Sequence, residues 1–145
     1  MTDTSLSNDI DFGLGYWSDG SASVSNWTGS VETGEGVPCT SNNCLKVAVS
    51  QGGKNRIVDV IDNIWPSGNS VASTFADLAT DYYNYIGVDN NNVKVCPIDP
   101  EIDCQRSYII VIGDGNLTGD NSLARNQIEN LATQGIITNM VGFGP

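Results

Sequence analysis

The sequence predicts a three-layer α/β domain, a doubly wound and mainly parallel sheet with helices packed on its faces. Three observations predict it. Short apolar runs alternate with segments of helical period. The run Tyr108-Ile109-Ile110-Val111-Ile112 is unbroken, as in a strand buried on both faces of a parallel sheet. A chain of 145 residues holds one such domain and has no room for two.

Residues 1–8 are polar and read as a loose N-terminal segment, with the domain proper over 9–145. Ile10 to Trp17 alternates large residues with small or polar ones, the period of a strand. Residues 18–44 are rich in Ser, Gly, Thr and Asn and read as a long surface excursion pinned by Trp27 and a first disulfide. Leu45-Lys46-Val47-Ala48-Val49 is a second strand. In 54–64, Ile57, Ile61 and Ile64 recur at helical spacing, and Pro66 stops the helix. Val71, Phe75, Leu78, Tyr82 and Tyr85 then give one apolar face to a helix over about 70–85, which reads as core packing against the sheet. An Asn- and Asp-rich loop, 86–106, leads to the Tyr108–Ile112 strand, which ends in Gly113-Asp114-Gly115. A helix over about 121–134 turns Ala124, Ile128, Leu131 and Ala132 inward, Gly135 stands where a helix-ending glycine belongs, and Ile136 to Phe143 is the last strand. Strand, helix and strand in that order make a parallel βαβ unit.

Composition excludes several functions. Six basic residues against seventeen acidic ones give a net charge of -11, which disfavours nucleic acid and anionic membrane surfaces as partners. There is no histidine, so the commonest general base, His-activated nucleophiles and His-ligated zinc are all absent. The acids are scattered over loops without a converging pair, and the chain reads as non-enzymatic; a metal-assisted hydrolase working through Asp114 lacks a visible general base. No apolar run approaches a membrane span and no signal peptide opens the sequence.

The four cysteines fall as two local pairs, Cys39 with Cys44 and Cys96 with Cys104, each closing a segment rich in turn formers. Three connectivities are open, and the sequence-local one is favoured. Neither spacing is the C-x-x-C of a zinc or redox site. With low Lys and abundant Asn, Ser, Thr and Gly, paired cysteines indicate an extracellular surface protein, and the missing signal peptide suggests a piece of something longer.

Ligands of doubly wound sheets bind beyond the carboxyl ends of the strands. Asp114 lies at such an end, and the turn Gly68-Asn69-Ser70 opening the long helix belongs there by the same topology. The Asp114 carboxylate and Ser70 hydroxyl are hard oxygen donors suited to Mg²⁺ or Ca²⁺; the plainer account is that both cap adjacent helices or turns. A second pattern overlaps: Asp114, Asn116, Thr118 and Asp120 alternate, with Gly119 sixth, as in a calcium loop, but Arg125 stands where such a loop needs Glu. A third, Asp19-Gly20-Ser21-Ala22-Ser23, has the letters Asp-x-Ser-x-Ser after the first strand. No helix follows it, and a coincidence within a Ser-rich loop is the plainer reading.

Ile109 to Gly115, then a helix, then Gln134-Gly135-Ile136 and Val141-Gly142-Phe143-Gly144, resembles the second half of a von Willebrand factor A domain. Asp11 to Trp17 resembles the second strand of that family, Leu45-Lys46-Val47 its third, and Gly68-Asn69-Ser70 the loop bearing a metal-ligating Thr. Cys104-Gln105-Arg106-Ser107-Tyr108 through Gly115 is similar to the corresponding segment of PilY-type tip adhesins and biogenesis factors of type IV pili, as are Cys44 to Val47 and Asp81-Tyr82-Tyr83. The likeness runs over roughly 9–144. It implies a partial domain lacking its first, central strand, with a gap in the sheet, unless Asp19-Gly20-Ser21 is the first metal loop and the register shifts. It carries over Ser70 and Asp114 as metal positions. It implies an adhesion or pilus-assembly module that binds a protein or cell-surface partner, pilin or another pilus subunit, through loops at the strands' carboxyl ends. A metal-free scaffold within such an assembly is the alternative.

Overall fold

The computed structural model describes residues 10–19, 43–50, 53–62, 69, 71–84, 98, 105–113 and 117–143. Over these the chain runs β1 (Phe12–Trp17), β2 (Asn43–Ser50), α1 (Gly53–Ile61), α2 (Ala72–Tyr83), β3 (Ser107–Gly113), α3 (Asn121–Thr133) and β4 (Ile136–Gly142). The α/β class follows directly. The N-terminal segment 1–8, Trp27, Ile64 and Tyr85 lie outside the described residues.

Periodicity placed each element to within a few residues, and the boundaries have local causes. At α3, the Asp120 carboxylate accepts from the backbone N–H of Ser122 and Leu123, satisfying two of the donors a helix start leaves open. Gly135 ends it with φ 82°, a left-handed conformation costly for residues bearing a Cβ. Phe75, Leu78 and Tyr82 of the expected α2 stripe are buried, and Val71 sits extended just before the helix.

The sheet differs from a single, mainly parallel one. β1 and β2 form an antiparallel pair, with Tyr16 opposite Cys44 and Trp17 opposite Asn43. β3 and β4 form a parallel pair, running in register from Ser107 opposite Ile136 to Gly113 opposite Gly142. Among the described residues no ladder joins the two pairs. The βαβ unit β3–α3–β4 is present as the sequence predicts.

A layer made of α2 and α3 spans both pairs. One apolar cluster joins Leu45 and Ala48 of β2 to Leu78, Tyr82 and Tyr83 of α2, Leu131 of α3 and Ile136 of β4. A second joins Ala72, Phe75 and Ala76 of α2 to Val111 of β3 and Ala124 of α3, with Trp17 of β1 packed against it. Polar bonds pin the same layer: Asn43 Nδ2 donates to the Thr74 carbonyl, and the Val49 amide donates to the Tyr82 hydroxyl.

Two burial expectations are corrected, and α1 shows a third pattern. β3 is covered on one face only: Val111 is buried and Ile109 half-buried, but Tyr108, Ile110 and Ile112 are exposed, because α2 and α3 occupy a single side. Ala132 is exposed, since the α3 face that meets the core is set by Ala124 and Leu131. In α1, Ile61 is exposed and Ile57 only half-buried, because the helix touches the β1–β2 pair near its start, where Gly53 is buried against the Phe12 backbone.

Candidate functional site

Three chain segments meet at the carboxyl ends of β1 and β3. The first is the end of β1, where Trp17 packs its ring against Phe75 with centroids 5.8 Å apart, followed by buried Ser18 and half-buried Asp19. The second is the approach to α2 at Asn69. Its Nδ2 donates to Asp19 Oδ2 at 2.6 Å, a bond across fifty positions of sequence. The third is the segment after β3, where Thr118 bridges Val71 in parallel fashion and its carbonyl accepts from the Ala72 amide at 2.8 Å.

That last bond also solves a local problem. The first N–H groups of a helix lack partners within it, and Val71 offers α2 no side-chain cap. The Thr118 carbonyl supplies one from the neighbouring loop. Gly119 makes the close approach feasible: it has φ 86°, and a Cβ there would lie 2.7 Å from Val71 Cγ1. Thr74 Oγ1 donates back to the Val71 carbonyl and stiffens the same turn.

Of the residues singled out in the sequence, the structure brings Asp19 to Asn69, the immediate neighbour of Ser70, and sets Asp120 at the start of α3 as its cap. Ser70, Asp114, Asn116, Ser21 and Ser23 lie outside the described residues. The neighbours flanking Ser70 and the Asp114 turn, Asn69, Val71, Gly113 and Leu117, are described, and they belong to the segments that meet here. Trp17 has no place in the sequence-predicted site, Asn69 enters it only within the turn before Ser70, and Thr118 only as one position of the calcium-loop pattern. Asn69 carried a signal, a turn-forming side chain directly before the candidate ligand; Thr118 works through its backbone, which no residue type announces.

The side chains at this end offer oxygen ligands. The Asp19 carboxylate and the Asn69 side-chain carbonyl suit a hard divalent cation and no soft metal. Among the described residues no group of three or more His, Cys, Asp or Glu gathers. The Trp17 indole N–H is buried without a hydrogen-bond partner, an arrangement that costs about 1–3 kcal/mol and stands beside the meeting point.

Cys44, fully buried in β2, is disulfide-bonded. Its partner, and with it the assignment of Cys39, Cys96 and Cys104, lies outside the described residues. No described helix is long and apolar enough to cross a membrane. The sequence matches no known protein family, and comparison with curated proteins and with solved structures gives no match.

Proposed function

We propose that this chain is a non-enzymatic, extracellular adhesion or pilus-assembly module, a partial von Willebrand factor A-like domain of the PilY type. It binds a protein or cell-surface partner, a pilin or another pilus subunit, through the loops at the carboxyl ends of β1 and β3. The observation that carries the reading is the Asp19–Asn69 hydrogen bond together with the Val71–Thr118 bridge, which draw three loops to one end of the molecule. Ser70 and Asp114, with Asp19, are the residues that would hold Mg²⁺ or Ca²⁺, and the ion would supply a Lewis-acidic bridge to an acidic group of the partner. Two separate strand pairs resting on one helix layer fit a three-layer sheet whose central strand is missing. A disulfide at Cys44 agrees with an oxidising compartment.

A second reading, a metal-free scaffold, draws support from the same loops. The Thr118 carbonyl and the Asp120 cap hold them through protein groups alone.

Thermal unfolding with millimolar Mg²⁺ or Ca²⁺ against EDTA separates the two. A cation binding only the native state at one hundred times its dissociation constant adds about 2.7 kcal/mol. The adhesion reading expects a higher midpoint with the ion, lost in Asp114→Ala and in Asp19→Ala. Equal midpoints with and without the ion in all three proteins would leave the scaffold.

A further inference from the structure

β4 has one edge that no strand meets among the described residues. The Phe143 amide donates to the Gly113 carbonyl, so Ile137, Asn139 and Val141, an even number of positions before it, also turn their backbone groups toward β3. The N–H and C=O of Thr138, Met140 and Gly142 then point the other way. Asn139 to Phe143 are all exposed. β3 stands differently: its Val111 is buried, in an apolar cluster that Trp17 of β1 packs against. An open edge is a template for another strand, and proteins blunt such edges with charges, prolines, bulges or very short strands. β4 carries none of these devices. It runs seven residues, Ile136–Gly142, without a charged residue or a proline, and its register with β3 is unbroken. β1, by contrast, pairs through two register shifts.

We infer that β4 pairs edge to edge with β4 of a second copy of this chain, antiparallel about a two-fold axis at Met140. The strand is its own complement. The axis sets Met140 opposite Met140 of the second copy and Thr138 opposite its Gly142, and each such pair exchanges two backbone hydrogen bonds. These are the backbone groups that β3 leaves unused. On the outward face the same axis places Phe143, 65% exposed, opposite Ile137 of the second copy, 47% exposed. Since β4 carries no charged side chain, no like charges of the two strands stand directly opposite. The net charge of -11 on each copy acts from farther away, and physiological salt screens exposed charges beyond about 8 Å. A two-fold contact uses the β4 edge of both chains, so association through it closes at a dimer. The pairing needs no divalent ion and stands or falls apart from the adhesion reading.

The test is sedimentation of the full chain over a concentration series, in EDTA and physiological salt. A monomer–dimer equilibrium is expected. Met140→Pro removes an outward N–H and no bond to β3, a place where an edge strand tolerates proline, and is expected to weaken the dimer by at least about tenfold. Met140→Lys and Met140→Glu each set like charges across the axis and are expected to weaken it by about tenfold, while an equimolar mixture of the two restores it. Val58→Lys, a charge placed at an exposed apolar site on α1, leaves the dimer unaltered. Circular dichroism melting checks the fold of each variant, and the Lys and Glu pair carries the test where the proline variant fails to fold. Hydrogen exchange is expected to slow at the Met140 amide as concentration rises, whereas the Asn139 amide, bonded to β3, is protected throughout. A chain that stays monomeric across the series would overturn the inference. So would a dimer that survives all three Met140 variants, or a Lys and Glu mixture no tighter than either variant alone.

Discussion

β2 and β3 are each one strand of a two-stranded pair, yet they are buried differently. In β2, consecutive positions from Asn43 to Ala48 are all buried, which requires cover on both faces. In β3, buried or half-buried positions alternate with exposed ones. The sequences suggest the reverse order: β2 carries Asn43 and Lys46, while Tyr108 to Ile112 has no polar break. An apolar run therefore states what a strand is able to bury, and the neighbouring elements decide how much is buried. Lys46 shows the other side of this. It is buried nonetheless, and desolvation pulls the pKa of its amine down.

The sharpest way to break the comparison is a pair of truncations. Leu45→Ala removes a buried side chain from the shared core and is expected to cost about 2–5 kcal/mol. Ile112→Ala on the open face is expected to change stability by less than about 0.5 kcal/mol, both read from urea midpoints. Equal losses would mean that β3 is covered in solution by something bound to it. A smaller effect concerns the start of α3. Asp120→Ala removes a carboxylate that accepts two backbone N–H groups and is expected to cost about 1 kcal/mol. A midpoint that instead moves only when Ca²⁺ is present would assign Asp120 to a cation. The smallest effect is electrostatic. Burial, and secondarily the charge of Asp77, raise the pKa of Asp81. The native state then holds a proton that the unfolded chain has released, so stability falls as pH rises from the ordinary carboxylate value through the raised one. Asp81→Asn is expected to raise the melting midpoint slightly at neutral pH and to leave it unchanged well below that window.

Much of the fold was legible in the sequence because helical and strand periods differ and few residues break them. The 4, 3, 4 spacing of Val71, Phe75, Leu78 and Tyr82 located α2, and Gly135 marked the end of α3 through a backbone conformation only glycine adopts easily. What periodicity does not carry is which face finds a partner. Ile61 and Ala132 fit their helical stripes and are exposed, because a stripe is wider than the surface offered to it. The candidate site was legible in part. Residue type marks Asp19 and the Gly68-Asn69-Ser70 turn, although coincidence is the plainer sequence reading of the Asp19 loop, and the meeting of Asp19 with Asn69 across fifty positions is a tertiary fact. The Thr118 carbonyl leaves no trace in sequence, since every residue has one.

The helix layer has a consequence for how the molecule comes apart. A two-stranded sheet is marginal alone, and among the described residues neither pair has an apolar cluster to itself, because both clusters draw side chains from both sides through α2 and α3. Opening either pair strips α2 of part of its packing and so weakens the other. The two described strand pairs are therefore expected to unfold in one cooperative step, which calorimetric and van't Hoff enthalpies that agree would check.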